Sequence, residues 1–463
     1  MNRWWKLLVC LLVCLVAESA RAETFQVGPG HPLRHPGLVP WETLGPGDIV
    51  EIHWRPEPYR SKWVMSRQGT AQQPIIVRGV PGPKGELPVL DANRASVPSG
   101  LGYWSHGRGV IKIGASNNSG DNPPMHIVIE NLDIHGARPG NFFLGPDGLT
   151  EYDKPACPVY MESGQHLTLR GCRLHDSGNG VFVAPDCEEV LIEGCDIFDN
   201  GNEGSLYEHN AYSESKGVTY QFNRFGPLRA GCRGNNLKDR SAGLIVRYNR
   251  IEGGNRQLDL VDSQEGMEIR NDPRYHLAEV YGNLLIERQG PDNNQIVHFG
   301  GDSGDDNANR RTLRFYHNTV ISTRTEKSVL LRLSTPQQSA ELWNNAIFTT
   351  APGSTFAIVD ELGQVQMRNC FLKPKWRKCH GELKGQVAAT GLIEVEDPQF
   401  LNFLPGDLSK SDFHLSPKSP LLNAGSEAPA RSLPVEFEPP GPLSPAAARP
   451  LAGKPDIGCF EGR

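Results

Sequence analysis

GLIVRYNRIEGG, at 243–254, carries the pattern on which the fold turns. Apolar residues alternate from Leu244 to Val246, Asn249 stands at a corner, Ile251 resumes the alternation, and Glu252, Gly253 and Gly254 close on a polar turn. The same grammar recurs before it in HIVIENLDIHG (126–136), HLTLRGCRLHDSG (166–178), EVLIEGCDIFDNG (189–201) and GVTYQFNRFG (217–226). It recurs after it in AEVYGNLLIERQG (278–290), LRFYHNTVIS (313–322) and AELWNNAIFT (340–349). Corner asparagines fall at Asn131, Asn223, Asn249, Asn283, Asn318 and Asn345. A unit of about 20–40 residues with two or three short strands cannot bury its own apolar face, so it has to stack on its neighbours. Asparagine suits the corner because it tolerates left-handed backbone and its amide can bond the adjacent turn.

One more strand per unit is found by alternation: GVFV (180–183), HNAY (209–212), NLKDR (236–240), QLDLV (257–261), QIVHF (295–299), VLLRL (329–333) and FAIVD (356–360). Recurring once per coil, these segments belong on one continuous parallel sheet. The expected fold is all-β, a single right-handed parallel β-helix. A propeller blade would need four strands, and these units supply two or three. With 50 glycines and 37 prolines the chain is rich in turns, as such a solenoid requires.

Residues 1–22 combine basic Arg3 and Lys6, an apolar run from Leu7 to Ala17 and the small-x-small end Ala20-Arg21-Ala22, the layout of a secretory signal peptide. A periplasmic or secreted protein is expected. Of ten cysteines, Cys10 and Cys14 fall in that leader, leaving eight for an oxidising compartment. Cys370 and Cys379 are expected to close a local disulfide loop, while Cys172, Cys187 and Cys195 read equally as buried rung residues. The absence of any CxxC or HExxH pattern argues against zinc. A net charge of -6 argues against nucleic acid as the main partner.

Residues 23–109, with PWETLGPGDIVEI (40–52), QPIIVRG (73–79) and GVIKIG (109–114), are read as an N-terminal cap and first coils, and 110–426 as the solenoid proper. The Pro-rich tail, 427–463, is read as an extended strap with a closing strand. The opening segment resembles the first coils of parallel β-helix proteins. DPQF (397–400), DFHLSPKSPLLNAG (412–425) and DIGCFEG (456–462) resemble their closing coil.

The densest cationic strand is Asn235-Asn236-Leu237-Lys238-Asp239-Arg240-Ser241. With Leu237 inward, alternation puts Asn236, Lys238 and Arg240 outward. His209 lies one coil earlier and Asp259 one coil later. Rungs about 4.8 Å apart would bring His209, Lys238, Arg240 and Asp259 into one patch. Tyr212 has the opposite parity to His209 and joins only if the strand bends. His298, in QIVHFGGDSG, and Arg256, just ahead of Asp259, line the same groove. Asp302, Asp305 and Asp306 read as a solvated Gly/Asp turn.

Residues 205–320, through EHNAY, NNLKDRSAGLIVRYNRIEGG and VYGNLLIERQG, resemble the polysaccharide lyases related to chondroitinase B and alginate lyase. The resemblance implies β-elimination on an acidic, uronate-containing polysaccharide. It implies a base at Lys238, which like the family lysine is followed by a serine and an RYN corner. The family's catalytic arginine falls near Asp259 and is not carried over. The family's acidic calcium ligands fall at Gly231 and Arg233, so no metal or cofactor is expected. The expected catalytic set is Lys238, Arg240, His209 and Tyr212, with Asn236, Asp259, His298 and Arg256 binding substrate, in a monomer without a membrane span. Three alternatives stay open. A glycoside hydrolase would need clustered carboxylates, of which Asp259 and Asp262 are the nearby pair. An epimerase would share the elimination chemistry but usually carries a DPHD-type motif, absent here. A non-catalytic glycan-binding β-helix would lack a cleft at Lys238.

Overall fold

The computed structural model describes residues 22–118, 120, 122–290, 293–304, 310–441, 445–451 and 453–462. Nearly all of the expected leader, together with Asp305 and Asp306, lies outside the described residues. The chain winds into a right-handed parallel β-helix whose rungs form three long sheets. The first sheet contains Trp63–Met65, Gly109–Ile113, the leading halves of Cys157–Arg170 and Val181–Glu193, Ala211–Ser213, Leu237–Asp239, Leu258–Leu260, Gln295–Phe299, Ser328–Leu333 and Phe356–Val359. The second sheet already begins at Thr24–Val27 and ends at Gln386–Thr390, and the third runs from Val89–Asp91 to Ile393–Glu394. The parallel ladder therefore includes the segment read as a cap.

In-register stacking turns alternation into columns. On the first sheet Ile111, Val159, Val181, Ala211, Leu237, Leu258, Val297, Leu331 and Val359 stack on the inside, each fully buried. The next position along the strands forms the outward column Lys112, Tyr160, Phe182, Tyr212, Lys238, Asp259, His298 and Arg332.

The corner between the second and third sheets carries two adjacent columns with different tasks. Asn131, Gly171, Gly194, Phe222, Tyr248, Gly282, His317, Asn344 and Asn369 hold the left-handed backbone, with φ between 48° and 66°. One residue later Asn223, Asn249, Asn283, Asn318 and Asn345 turn inward. Each Oδ1 from Asn249 to Asn345 accepts from the Nδ2 of the previous asparagine at 2.9–3.2 Å. The expected asparagine row is present, with two differences: it is built by side-chain amides rather than by left-handed backbone, and Asn131 sits in the neighbouring column. Cys172 and Cys195 are buried, as one reading of the sequence had them, and with Cys370 they occupy corner positions beyond the asparagine run. All eight described cysteines are free. The expected Cys370–Cys379 bridge is not formed, because Cys370 points into the core and the Cys379 thiol donates to the Asp360 carbonyl at 2.7 Å.

The expected closing coil is also corrected. Phe400–Asn402 and Asp412–Leu415 pair antiparallel, and Phe400, Phe413, Leu415, Leu421, Ile457 and Phe460 pack against the outer face of the third sheet. The solenoid's rungs stop at Glu394, and this layer covers its flank because Leu284, Ile286, Phe348 and Phe371 are apolar on the outside. The strap runs beside a ladder of Tyr248, Tyr281, Tyr316 and Trp343, against which Leu433, Val435 and Phe437 pack. Tyr248 donates to the Pro434 carbonyl at 3.1 Å, and Tyr316 to that of Leu433 at 3.2 Å.

Asn283→Ala removes the donor to the carbonyls of Val246 and Tyr281 and the acceptor for Asn249. At about 1–3 kcal/mol for each orphaned buried group, a loss of at least about 2 kcal/mol is expected in denaturant unfolding. A second expectation concerns His414, whose imidazole joins Asp412 to Glu438 of the strap. Burial alone would lower its pKa, but the bonds to Glu438 and Asp412 outweigh it and raise it above 6.5. Its stabilisation is thus complete below pH 6.5 and lost as pH rises through the raised folded value. Thermal unfolding of His414→Gln should fall short of wild type at pH 5.5 and converge on it at high pH.

Candidate functional site

The outward column of the first sheet changes character halfway along. Tyr160, Phe182 and Tyr212 are partly exposed aromatics, with ring centroids 5.8 Å and 4.7 Å apart. Lys238, Asp259, His298 and Arg332 continue the line on successive rungs. Asp259 is 2% exposed, and its two oxygens hold different partners. Oδ2 accepts from Lys238 Nζ at 2.8 Å and from Asn235 Nδ2 at 2.8 Å, while Oδ1 accepts from His298 Nδ1 at 2.7 Å. Arg256 Nη1 stands 3.6 Å from Oδ1. Burial would raise this carboxyl, but the His298 bond and the charge of Lys238 hold it well below the ordinary carboxylate range.

Asp302 closes over the same strand from the loop that follows His298. It takes two bonds from Arg240, at 2.9 Å and 3.0 Å, and one from Lys238 at 2.9 Å. Those interactions overcome the opposing effect of burial and lower Asp302 to about 2. Asp262, fully buried beside Arg240, accepts from the Asp302 N–H at 2.8 Å. Asp302 stays in an exposed turn, as read from the sequence, but it is also ion-paired there: it caps the solvent side of a cluster in which Lys238, Arg240 and Arg256 face Asp302 and the buried Asp259 and Asp262.

His298 is buried, and burial lowers its pKa against the pull of Asp259, so the ring is neutral at pH 7. An ionised carboxylate only accepts, which puts the ring proton on Nδ1 and leaves Nε2 as an acceptor. Nε2 lies 2.9 Å from Ser334 Oγ. Beside it Arg332 is exposed and, among the described residues, forms no ion pair.

His209 precedes its strand rather than belonging to it. The N–H of Asn235 donates to its Nδ1 at 2.9 Å, and burial with the Lys238 charge lowers its pKa to about 3, so its proton sits on Nε2. Tyr212 aligns with Lys238, so the condition set by parity is met, and burial raises its hydroxyl pKa. His209 and Tyr212 rings stack at 6.1 Å. Of the expected residues, Lys238, Arg240, Asp259, His298 and Arg256 come together, and His209 and Tyr212 adjoin them.

Asn236 is the exception and a correction. It is fully buried, accepts from Asn210 Nδ2 at 2.9 Å and donates to the Glu252 carbonyl at 2.9 Å, inside the corner. The segment bends there, so alternation counted back from Lys238 fails. Asp239 faces inward, as alternation from Leu237 requires, and is bonded to the buried Arg310 at 2.6 Å. Arg332 and Ser334 were missed, although Arg332 is the outward residue within VLLRL and Ser334 follows from extending its alternation by one step.

Residues 103–273 match the family model described as a right handed beta helix region. Among solved structures, pectate lyase Pel9A superposes with a TM-score of 0.50 and 10% identity, covering 96% of this chain and 97% of that one. The alginate lyase of Paenibacillus sp. gives 0.41 at 14% identity, over 67% and 91% of the two chains. The GH136 lacto-N-biosidase of Eubacterium ramulus gives 0.48 at 12%, over 81% and 68%. No curated protein matches the sequence. Among the described residues no helix is long and apolar enough to cross a membrane.

Removing one member of a buried ion pair costs about 3–5 kcal/mol, because the partner is left desolvated and alone. Asp259→Ala should therefore lose stability on that scale in urea unfolding. Asp302→Ala should lose measurably less, since the Asp302 side chain is 27% exposed against 3% for Asp259.

Proposed function

We propose that this protein is a polysaccharide lyase that cleaves a uronate-containing polymer by β-elimination in the groove along the first sheet, in a secreted or periplasmic setting. The observation that carries the reading is the carboxylate of Asp259, whose two oxygens fix an ammonium, Lys238, and a neutral imidazole, His298, relative to one another. Elimination needs a base for the proton at C5, an acid for the departing O4 and a cation to stabilise the carboxylate-bearing carbanion. His298 Nε2 is the base, with its tautomer set by Asp259. Ser334 has the Gly301 carbonyl at 2.7 Å as an alternative acceptor and can free Nε2 for substrate. Lys238, bonded to two carboxylates, is the proton donor rather than the base that the family resemblance implies. Arg332, exposed beside His298, meets the uronate carboxylate. His209 and Tyr212 contact the polymer on the preceding coil.

A hydrolase reading fits less well. Of the pair Asp259 and Asp262, Asp259 is held ionised by His298 and Lys238 and so does not supply the protonated acid that glycoside hydrolysis requires; Asp302, which joins them, is held ionised as well. The elimination reading invokes no metal.

Incubation with a panel of acidic polysaccharides should generate the ultraviolet absorbance of an unsaturated uronate, undiminished by chelator. His298→Ala and Lys238→Ala should each lower turnover by about 10²-fold or more, the scale of a lost general base or acid. Because burial places the His298 pKa below 6.5, kcat should decline only on acidification past that point, as the ring protonates. New reducing ends without a double bond would overturn the lyase reading in favour of hydrolysis. Binding without cleavage would leave a glycan-binding protein.

A further inference from the structure

Ser334 carries more than a resting partner for His298. It lies just past Ser328–Leu333, two residues beyond Arg332 and on the same outward side. Its Oγ is 2.9 Å from His298 Nε2, and His298 Nδ1 is 2.7 Å from Asp259 Oδ1. A hydroxyl, an imidazole and a buried carboxylate are thus joined in the order that activates a serine for attack on an acyl carbon. The three residues come from three successive rungs, Leu258–Leu260, Gln295–Phe299 and the coil of Ser328–Leu333, so their spacing is set by the sheet rather than by a loop. Asp259 is locked by Lys238, Asn235 and Arg256, which fixes the ring plane of His298. The hydroxyl has a second acceptor in the Gly301 carbonyl, and it accepts from the Gly301 N–H at 3.0 Å. The exposed guanidinium of Arg332, on the same face, is the cation available to an oxyanion.

We propose that Ser334, His298 and Asp259 form a second activity at this site, the hydrolysis of acyl esters borne by a carbohydrate, with small O-acyl groups as the substrate class. Ser334 Oγ attacks the ester carbonyl while its proton passes to His298 Nε2. The tetrahedral intermediate collapses with cleavage of the bond between the acyl carbon and the sugar oxygen, which takes the proton back from His298. Water then gives a proton to Nε2 and attacks the acyl-serine. Collapse releases the carboxylic acid and restores the Ser334 hydroxyl. The chemistry shares its base with the elimination but does not depend on it: one substrate presents a C–H to Nε2, the other leaves Ser334 in place.

The test uses the full mature protein with diisopropyl fluorophosphate and with 4-nitrophenyl acetate. The fluorophosphate should add one diisopropylphosphoryl group, mapped by peptide mass to Ser334. Ser334→Ala should abolish the adduct and lower acetate release by about 10²-fold or more, the scale of a lost nucleophile or base. His298→Ala should do the same. Circular dichroism of each variant reports folding, and labelling of the unmutated protein tests the proposal without any variant. An adduct on another residue, no adduct at all, or acetate release unchanged in Ser334→Ala overturns the ester activity. Elimination on uronate polymers, assayed in parallel, separates the readings: double bonds without a Ser334 adduct sink only the esterase, and a Ser334 adduct without double bonds sinks only the lyase.

Discussion

Everything in this molecule depends on parallel rungs being held in register, and the asparagine row inside one corner is the interaction that fixes that register most firmly. Each amide in the row bonds both a neighbouring amide and backbone carbonyls, as Asn283 does to Val246, Tyr281 and Asn318. A slip of one residue would bury outward side chains and leave a column of buried amides without partners. Because the row is buried, its bonds escape competition from water, and each rung is committed to a single alignment with the next.

Register then converts a one-dimensional sequence into a surface. Asp259 is separated from His298 by 39 residues and from Lys238 by 21, yet all three occupy one line because their strands pair in step. Such a line has consequences for charge. Asp259, Asp262 and Arg240 are buried, and for such groups the desolvation cost is offset only if nearly every lone pair finds a donor. Asp259 meets that condition through Lys238, Asn235 and His298. The result is a rigid electrostatic frame in which His298 is kept neutral and pointed.

Much of this was legible in the sequence, and the limits have physical causes. Strands such as QLDLV and QIVHF announce their inward faces by alternation, and Leu258, Leu260, Val297 and Phe299 do face inward, with Asp259 and His298 between them on the outward side. Alternation holds only within a strand. His209 and Asn236 stand in the turn and corner that precede theirs, where the chain bends, so counting from them put Asn236 outward and Tyr212 out of line. Asp302 was legible as a turn residue but not as a partner of Arg240 and Lys238, since that contact follows from a loop folding back rather than from any periodicity. The cysteines looked like disulfide partners because composition reports compartment chemistry, whereas corner stacking asks only for a small apolar side chain, which a free thiol satisfies.

Under the proposed lyase reading, the same frame would decide how the first sheet meets an acidic polymer. Lys238 and Arg240 are already saturated by Asp259 and Asp302, so a uronate carboxylate gains little by approaching them and would repel the ionised oxygens that surround them. Arg332 stands beyond the last of these carboxylates, exposed, on the rung next to His298. In the proposed elimination, a uronate carboxylate on Arg332 would present its C5 hydrogen to Nε2 and its O4 side to Lys238, with Asp259 between the two groups. The aromatic half of the column, Tyr160, Phe182 and Tyr212, carries no charge and so places no demand on the acidity of the sugars that lie over it. Under the proposed lyase reading, selection for a uronate would rest on Arg332, with the aromatic half of the column adding uncharged contacts to the polymer.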